Sequence, residues 1–248
     1  MYAARARQVV DELGFSALKF DLDVPTPYQQ DTASGTLTRA EVGAMVELAA
    51  AVIDAVGPGV DVAFDCHWRY QVADAQRLAH ELEPLGLMWL EDPVPPENVA
   101  ALRRVTTSTT TPIATGENGY LRHGFREAFE TGAISIAAPD IQKTGGLLEA
   151  RRIADFADTH YISVAPHCIA SPIGTVAAAH VAAAIPNFLA LEWHGMSVPF
   201  WEDLAAGLDG PVISGGRIAV PSGPGLGVTL NLDVARRYAR AGEPFFDE

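Results

Sequence analysis

Six apolar runs in this chain each end in a residue that can bind a metal or carry a proton. They read VDVAFD, GLMWLED, PIATGE, ISIAAPD, YISVAPH and FLALEW, and the chemical residues are Asp65, Glu91, Glu117, Asp140, His167 and Glu192. Successive members lie 23 to 27 residues apart, the length of one strand, one helix and two short loops. The runs are nearly continuously apolar, as suits strands buried on both faces, and helices are predicted between them near residues 71–84, 97–107, 122–131, 146–159 and 173–184. A strand-then-helix repeat builds a parallel sheet. Closing that sheet into a barrel gathers every strand C-terminus on one face, where barrel active sites lie.

Before the first of these runs, apolar residues at helical spacing over residues 3–13 predict an opening helix, stopped by Gly14 ahead of the short strand SALKFD. The stretch from Leu22 to Thr38 is polar, carries Pro25, Pro27 and Gly35, and is long for a βα connection, so it is expected to be a functional loop over the barrel mouth. Thr38 with Glu41 three residues on is a capping-box pattern for the helix RAEVGAMVELAAAVIDAV, which Gly57, Pro58 and Gly59 end. ALKFD, VDVAFD, LMWLE, PIATG, ISIAA, ISVAP and FLALE make seven strands with a helix ahead of them. The barrel is therefore expected to lack its opening strand and to have two unpaired edges. After Glu192 the repeat stops and VISGGRIAVPSGPGLGVTLN reads as short strands and turns. Residues 1–195 are assigned to the incomplete barrel and 196–248 to a tail that packs on something other than the barrel wall.

Composition narrows the function. The length of 248 residues is near the roughly 250 of one (β/α)8 barrel, and 48% apolar content suffices for its core. Lys and Arg number 17 against 31 Asp and Glu, a net charge of −14 that opposes nucleic-acid binding. The opening MYAARARQVVDELGF has no apolar signal region, and no run approaches the roughly 18 apolar residues of a membrane span. A soluble cytoplasmic protein without a membrane partner is expected. Cys66 and Cys168 form no disulfide framework and are expected as buried reduced thiols. Gly145 and Gly146 are expected to open a helix; with no G-x-G-x-x-G pattern, nothing indicates a nucleotide cofactor.

An acidic residue ending a strand is, taken singly, a solvated loop residue or a helix cap. Asp65, Glu91 and Glu117 on consecutive strand ends are a different matter, because three carboxylates suit a hard divalent cation such as Mg²⁺. Asp140 and His167 fall on the next two strand ends and can lie side by side, the carboxylate orienting the imidazole and raising its basicity.

The segments LKFD, FDCHW, WLEDPVPPEN, ATGEN, PDIQKTGG, the APH strand end, LEW and the tail PSGPGLGV run in order over nearly the whole chain. With them the chain resembles the mandelate racemase/muconate lactonizing enzyme family of the enolase superfamily, and within it the sugar-acid dehydratases. The resemblance implies an α/β fold, a (β/α)7β TIM-type barrel here missing its first strand and the N-terminal capping domain. A fragment or truncated gene product, with weak or no activity alone, is expected, its PGLG tail normally running back to the cap. The resemblance also implies Mg²⁺ bound by Asp65, Glu91 and Glu117, and an Asp140/His167 dyad that removes the α-proton of a carboxylate substrate. Glu192 corresponds to the glutamate that hydrogen-bonds the substrate carboxylate, and Lys19 to the first lysine of a Lys-x-Lys strand. General-base help is worth only about 10²- to 10⁴-fold where enzymes commonly deliver at least about 10⁶-fold, so cation, Lys19 and Glu192 must hold the developing enediolate.

Two departures from the family pattern bear on the reaction. Asp21 stands where racemases carry a second lysine, which argues against a two-base racemase. His67, two residues past Asp65, matches the histidine that protonates the departing β-hydroxyl in the family's sugar-acid dehydratases. The implied activity is Mg²⁺-dependent dehydration of an aldonic or related sugar acid to a 2-keto-3-deoxy acid, with a homo-oligomer in the full-length form. The alternatives are a racemase or epimerase of a 2-hydroxy acid and an inactive truncated homologue that binds or oligomerises. An amidohydrolase barrel would show an early His-x-His pair, which the sequence lacks. Asn118, Lys143 and His194 are further candidates for orienting ligands or substrate.

Overall fold

The computed structural model of the chain describes residues 1–28, 34–194, 198–242 and 244–245. Helix α1 (Tyr2–Leu13) ends at Gly14, whose φ of 74° is the left-handed geometry that glycine adopts most readily. Strand β1 (Ala17–Asp21) leads towards helix α2 (Arg39–Val56); of the expected mouth loop, residues 29–33 lie outside the described residues. The cap of α2 is reciprocal. The Thr38 hydroxyl accepts from the Glu41 amide at 3.2 Å and the Glu41 carboxylate accepts from the Thr38 amide at 2.7 Å. Thr38→Ala removes half of that exchange and is expected to lower stability by about 1 kcal/mol. A reduced urea midpoint at unchanged slope would be the sign of it, and an unmoved midpoint would rule it out.

The repeat then runs β2 (Asp61–Asp65), α3 (Val72–Leu82), β3 (Leu90–Glu91), α4 (Val99–Thr106), β4 (Ile113–Thr115), α5 (Leu121–Thr131), β5 (Ile136–Ala137), α6 (Leu147–Asp158), β6 (Ser163–Val164) and α7 (Pro172–Ala182). All six strands pair in parallel, in sequence order. Alternate strand residues serve two cores. Phe64, Leu90, Ile113 and Ala137 join Leu78, Leu102 and Phe129 of the helices, whereas Ala63, Trp89, Ala114, Ile136 and Ala165 form a separate inner cluster. By the two-residue period of a strand, Asp65 and Glu91 share the inner face with Ala63 and Trp89.

The sheet has six strands among the described residues, not the seven expected. The FLALE run follows β6 in parallel through one bridge, Val164 with Phe188, and Leu189 N donates to Val164 O at 2.8 Å. It does not continue as a strand because the next residues of the β6 segment include Pro166, which has no amide to donate; Pro166 accepts from Glu192 N at 3.2 Å instead. At the other end β1, among the described residues, pairs with β2 alone. Residues 17–21 and 190–194 line one common cavity of about 340 Å³, so the sheet is curled and left open there.

The tail packs on the barrel's own last helix. Trp201 and Val212 bury against Val176 of α7, and Trp201 Nε1 donates to Ala170 O at 2.8 Å. The reason lies in α7, where Val176, Ala178, Ala179, Val181 and Ala182 are all buried; a helix apolar around most of its circumference needs cover on its outer side too. The tail itself holds a short antiparallel pair, β7 (Ala205–Ala206) with β8 (Thr229–Leu230), and helix α8 (Leu232–Arg237). No helix among the described residues is long and apolar enough to cross a membrane.

Candidate active site

Asp65, Glu91 and Glu117 converge at the C-terminal ends of three adjacent strands, with one oxygen from each lying within 4.8 Å of the others. Asp65 and Glu91 are each only 2% exposed. Local bonds hold them: the His67 amide donates to Asp65 Oδ1 at 2.9 Å, and Trp89 Nε1 donates to Glu91 Oε2 at 2.9 Å. Gly116 delivers Glu117 through a backbone φ of 142°, at a point where a Cβ would stand 2.7 Å from Phe125 and 3.1 Å from the Ala138 amide nitrogen. Only glycine fits that turn.

Lys19 reaches into the same group from β1, its Nζ 3.0 Å from Asp65 Oδ2, 2.9 Å from Glu91 Oε2 and 3.0 Å from Glu192 Oε1. Burial alone would lower the lysine's pKa, but the anions of Glu91, Glu192 and Asp65 outweigh it and hold the ammonium charged. Burial, with Asp65 beside it, pushes Glu91 above the ordinary carboxylate value. An all-oxygen, mostly buried donor set with more negative charge than Lys19 can neutralise fits a hard divalent cation.

His167 lies against this cluster. Its Nδ1 is 2.9 Å from Asp140 Oδ2, while Nε2 is 3.2 Å from Glu117 Oε2 and 3.8 Å from Glu192 Oε2. Burial opposes the imidazolium, yet the Asp140 hydrogen bond and the Glu192 and Glu117 charges raise the pKa of His167 overall. Burial likewise works against the Asp140 anion, but bonds from His167 and the Gln142 amide hold it below the usual carboxylate range. With Nδ1 committed to Asp140, Nε2 is the nitrogen presented to the cluster. Glu192 is itself anchored, its Oε2 accepting from the Cys168 amide at 2.9 Å.

The remaining sequence candidates separate clearly. His67 sits at a strained turn, φ 45°, with a side chain 41% exposed; Nδ1 lies 3.0 Å from Asp23 Oδ1 and Nε2 lies 3.8 Å from Asp65 Oδ2. Lys143 Nζ stands 3.5 Å from Glu117 Oε1 and 3.9 Å from Asp140 Oδ2. His194 lines the cavity together with Lys19, Glu91, His167 and Glu192. Asn118 is exposed. Cys66 and Cys168 are buried thiols, and burial pushes Cys168 up to about 11. Two acids escaped the sequence reading. Asp23, two residues beyond β1, orients His67. Asp92, next to Glu91, is 0% exposed, and burial followed by the Glu91 charge raises its pKa well above the ordinary value.

Residues 1–234 match the family described as enolase C-terminal domain-like. The chain is 52% identical over 241 residues to the D-xylonate dehydratase of Haloferax volcanii, covering 97% of this chain and 58% of that one. It is 32% identical over 199 residues to the D-galactonate dehydratase of Ralstonia pickettii, covering 78% of this chain and 52% of that one. The crystal structure of a mandelate racemase/muconate lactonizing enzyme-like protein from Rubrobacter xylanophilus superposes with a TM-score of 0.94 at 48% identity, across 99% of this chain and 62% of that one. The chain thus spans between half and two thirds of the length of each relative. On this extent of match, the chain belongs to the enolase C-terminal domain-like family, with the mandelate racemase/muconate lactonizing enzymes of the enolase superfamily.

Proposed function

We propose that this chain carries the active site of a Mg²⁺-dependent dehydratase of an aldonic or related sugar acid. The observation that carries the reading is His167, whose Nε2 faces the carboxylate cluster 3.2 Å from Glu117 while Nδ1 is tied to Asp140. Asp65, Glu91 and Glu117 are the residues that would hold the cation, and their oxygen donors favour Mg²⁺ over softer metals. Bound there, it supplies Lewis-acid stabilisation of negative charge on the substrate carboxylate.

The chain's own groups divide the remaining work. His167 accepts the α-proton at Nε2, and Asp140 stabilises the imidazolium through Nδ1. Lys19 and Glu192, 3.0 Å apart, offer the carboxylate end of the substrate a positive charge and a hydrogen-bonding partner. His67 gives a proton to the β-hydroxyl as the C–O bond breaks, so that water leaves and an enol remains, which tautomerises to the 2-keto-3-deoxy acid. Asp21, an exposed carboxylate 4.0 Å from His67 Nε2, supplies no second lysine base and weighs against a racemase. The dehydratases of D-xylonate and D-galactonate among the relatives favour elimination as well.

Two measurements test this. Incubation with D-xylonate or D-galactonate and Mg²⁺ in deuterium oxide should give α-deuterium exchange and 2-keto-3-deoxy product, slowly in this chain and faster in a full-length form; neither appearing in either form, with any aldonic acid tried, would reject the proposal. His67→Asn should cut product formation by at least about 10²-fold while α-exchange continues. Dehydration at the wild-type rate in that variant would remove His67 from the mechanism.

A further inference from the structure

We infer that Asp92 and Thr115 are positioning residues that fix the geometry of the Asp65, Glu91 and Glu117 cluster; the inference rests on reading that cluster as a cation site. Asp92 follows β3 directly and has no exposed surface. Its amide donates to Ala114 O at 2.9 Å, its carbonyl accepts from the Trp68 amide at 2.6 Å, and its Oδ1 accepts from the Thr115 hydroxyl. Trp68 lies in the loop just past Asp65. Ala114 and Thr115 are in β4, just before Glu117. One residue thus joins the three segments that carry the cluster, while being itself the neighbour of Glu91.

The position is expensive, which is why a structural filler does not explain it. Burying a carboxyl group carries a large desolvation penalty unless it is fully bonded, and Asp92 Oδ2 has no hydrogen-bond partner among the described residues. The backbone takes φ 46°, a region entered by few residues other than glycine, asparagine and aspartate. An apolar side chain would fill the space without the first cost and a glycine would meet the turn without the second. Neither would bond Thr115. Groups that orient the ligands of a metal in this indirect way typically change its affinity by about 10- to 100-fold when removed.

The test is a titration with Mn²⁺, followed by the paramagnetic resonance of the free ion, alongside the melting temperature of the cation-free protein. Thr115→Val and Asp92→Ala are each expected to weaken Mn²⁺ binding by about 10- to 100-fold. Asp92→Asn tolerates the same backbone and keeps an oxygen for the Thr115 hydroxyl, so it should bind nearly as the wild type does. Thr115→Val leaves the strained turn untouched and gives an answer even if Asp92→Ala does not fold. Lower melting temperatures in both variants with unaltered Mn²⁺ affinity would overturn the inference, leaving Asp92 a purely structural residue. A wild-type chain that binds no Mn²⁺ would overturn the cation site and this inference together. If the wild type binds, Asp65→Ala does not and Thr115→Val binds normally, this inference alone falls.

Discussion

Asp65→Ala is expected to abolish binding of a divalent cation and to slow product formation by at least about 10³-fold. Lewis-acid stabilisation is worth several kcal/mol, and each 1.36 kcal/mol is about tenfold in rate. Asp65 is nearly fully buried, and no other carboxylate among the described residues completes a group of three with Glu91 and Glu117. The variant should still fold. Lys19 retains Glu91 at 2.9 Å and Glu192 at 3.0 Å, so the mutation leaves no orphaned ammonium. The discriminating readout is the rise in melting temperature with Mg²⁺, which follows from binding to the native state alone. That rise should be present in the wild type and absent in the variant; a rise of equal size in both would place the cation elsewhere.

His167→Asn is expected to stop both reactions that His67→Asn separates. Loss of the general base should cost about 10²- to 10⁴-fold in dehydration and the same in exchange of the α-proton with deuterium oxide, followed by proton resonance. Cation binding should survive, because His167 is a neighbour of Glu117 and not a member of the carboxylate group. Asp140 keeps the Gln142 amide at 2.8 Å as a partner, which limits the damage to the fold. Exchange at the wild-type rate in this variant would assign the base to another group of the same cavity, which His194 also lines.

The placement of the candidate residues is legible where it follows the repeat. Strand alternation puts Asp65 and Glu91 on the inner face with Ala63 and Trp89, and the constant spacing brings Glu117, Asp140, His167 and Glu192 to the same end of the sheet. What the repeat does not encode is the layer behind it. Asp92 reads in WLED as one acid of a doublet, and only the φ of 46° with the Thr115 bond reveals a buried clamp. Asp23 sits in a polar loop with no periodicity, where nothing distinguishes the partner of His67 from Asp21 two residues earlier. The seventh strand was misread for a local reason, since hydrophobicity marks FLALE as a strand but Pro166 denies it the ladder. The docking of the tail is not legible in the sequence, because the packing surface that receives it, the outer side of α7, is apparent only once that helix is seen to be buried on nearly every side.

Lys19 has a bearing on how the protein matures. Three or four carboxylates brought together in a low-dielectric interior repel one another strongly, and in many small metalloproteins only the arriving ion relieves that repulsion, so the chain cannot fold before it is loaded. Here a side chain three contacts deep, to Asp65, Glu91 and Glu192, acts as a built-in counterion. On the proposed reading of the cluster as a cation site, the polypeptide can complete its core before the ion arrives. Cation binding on that reading is a reversible event on a finished scaffold, and the cation-free chain stays folded when the ion is removed.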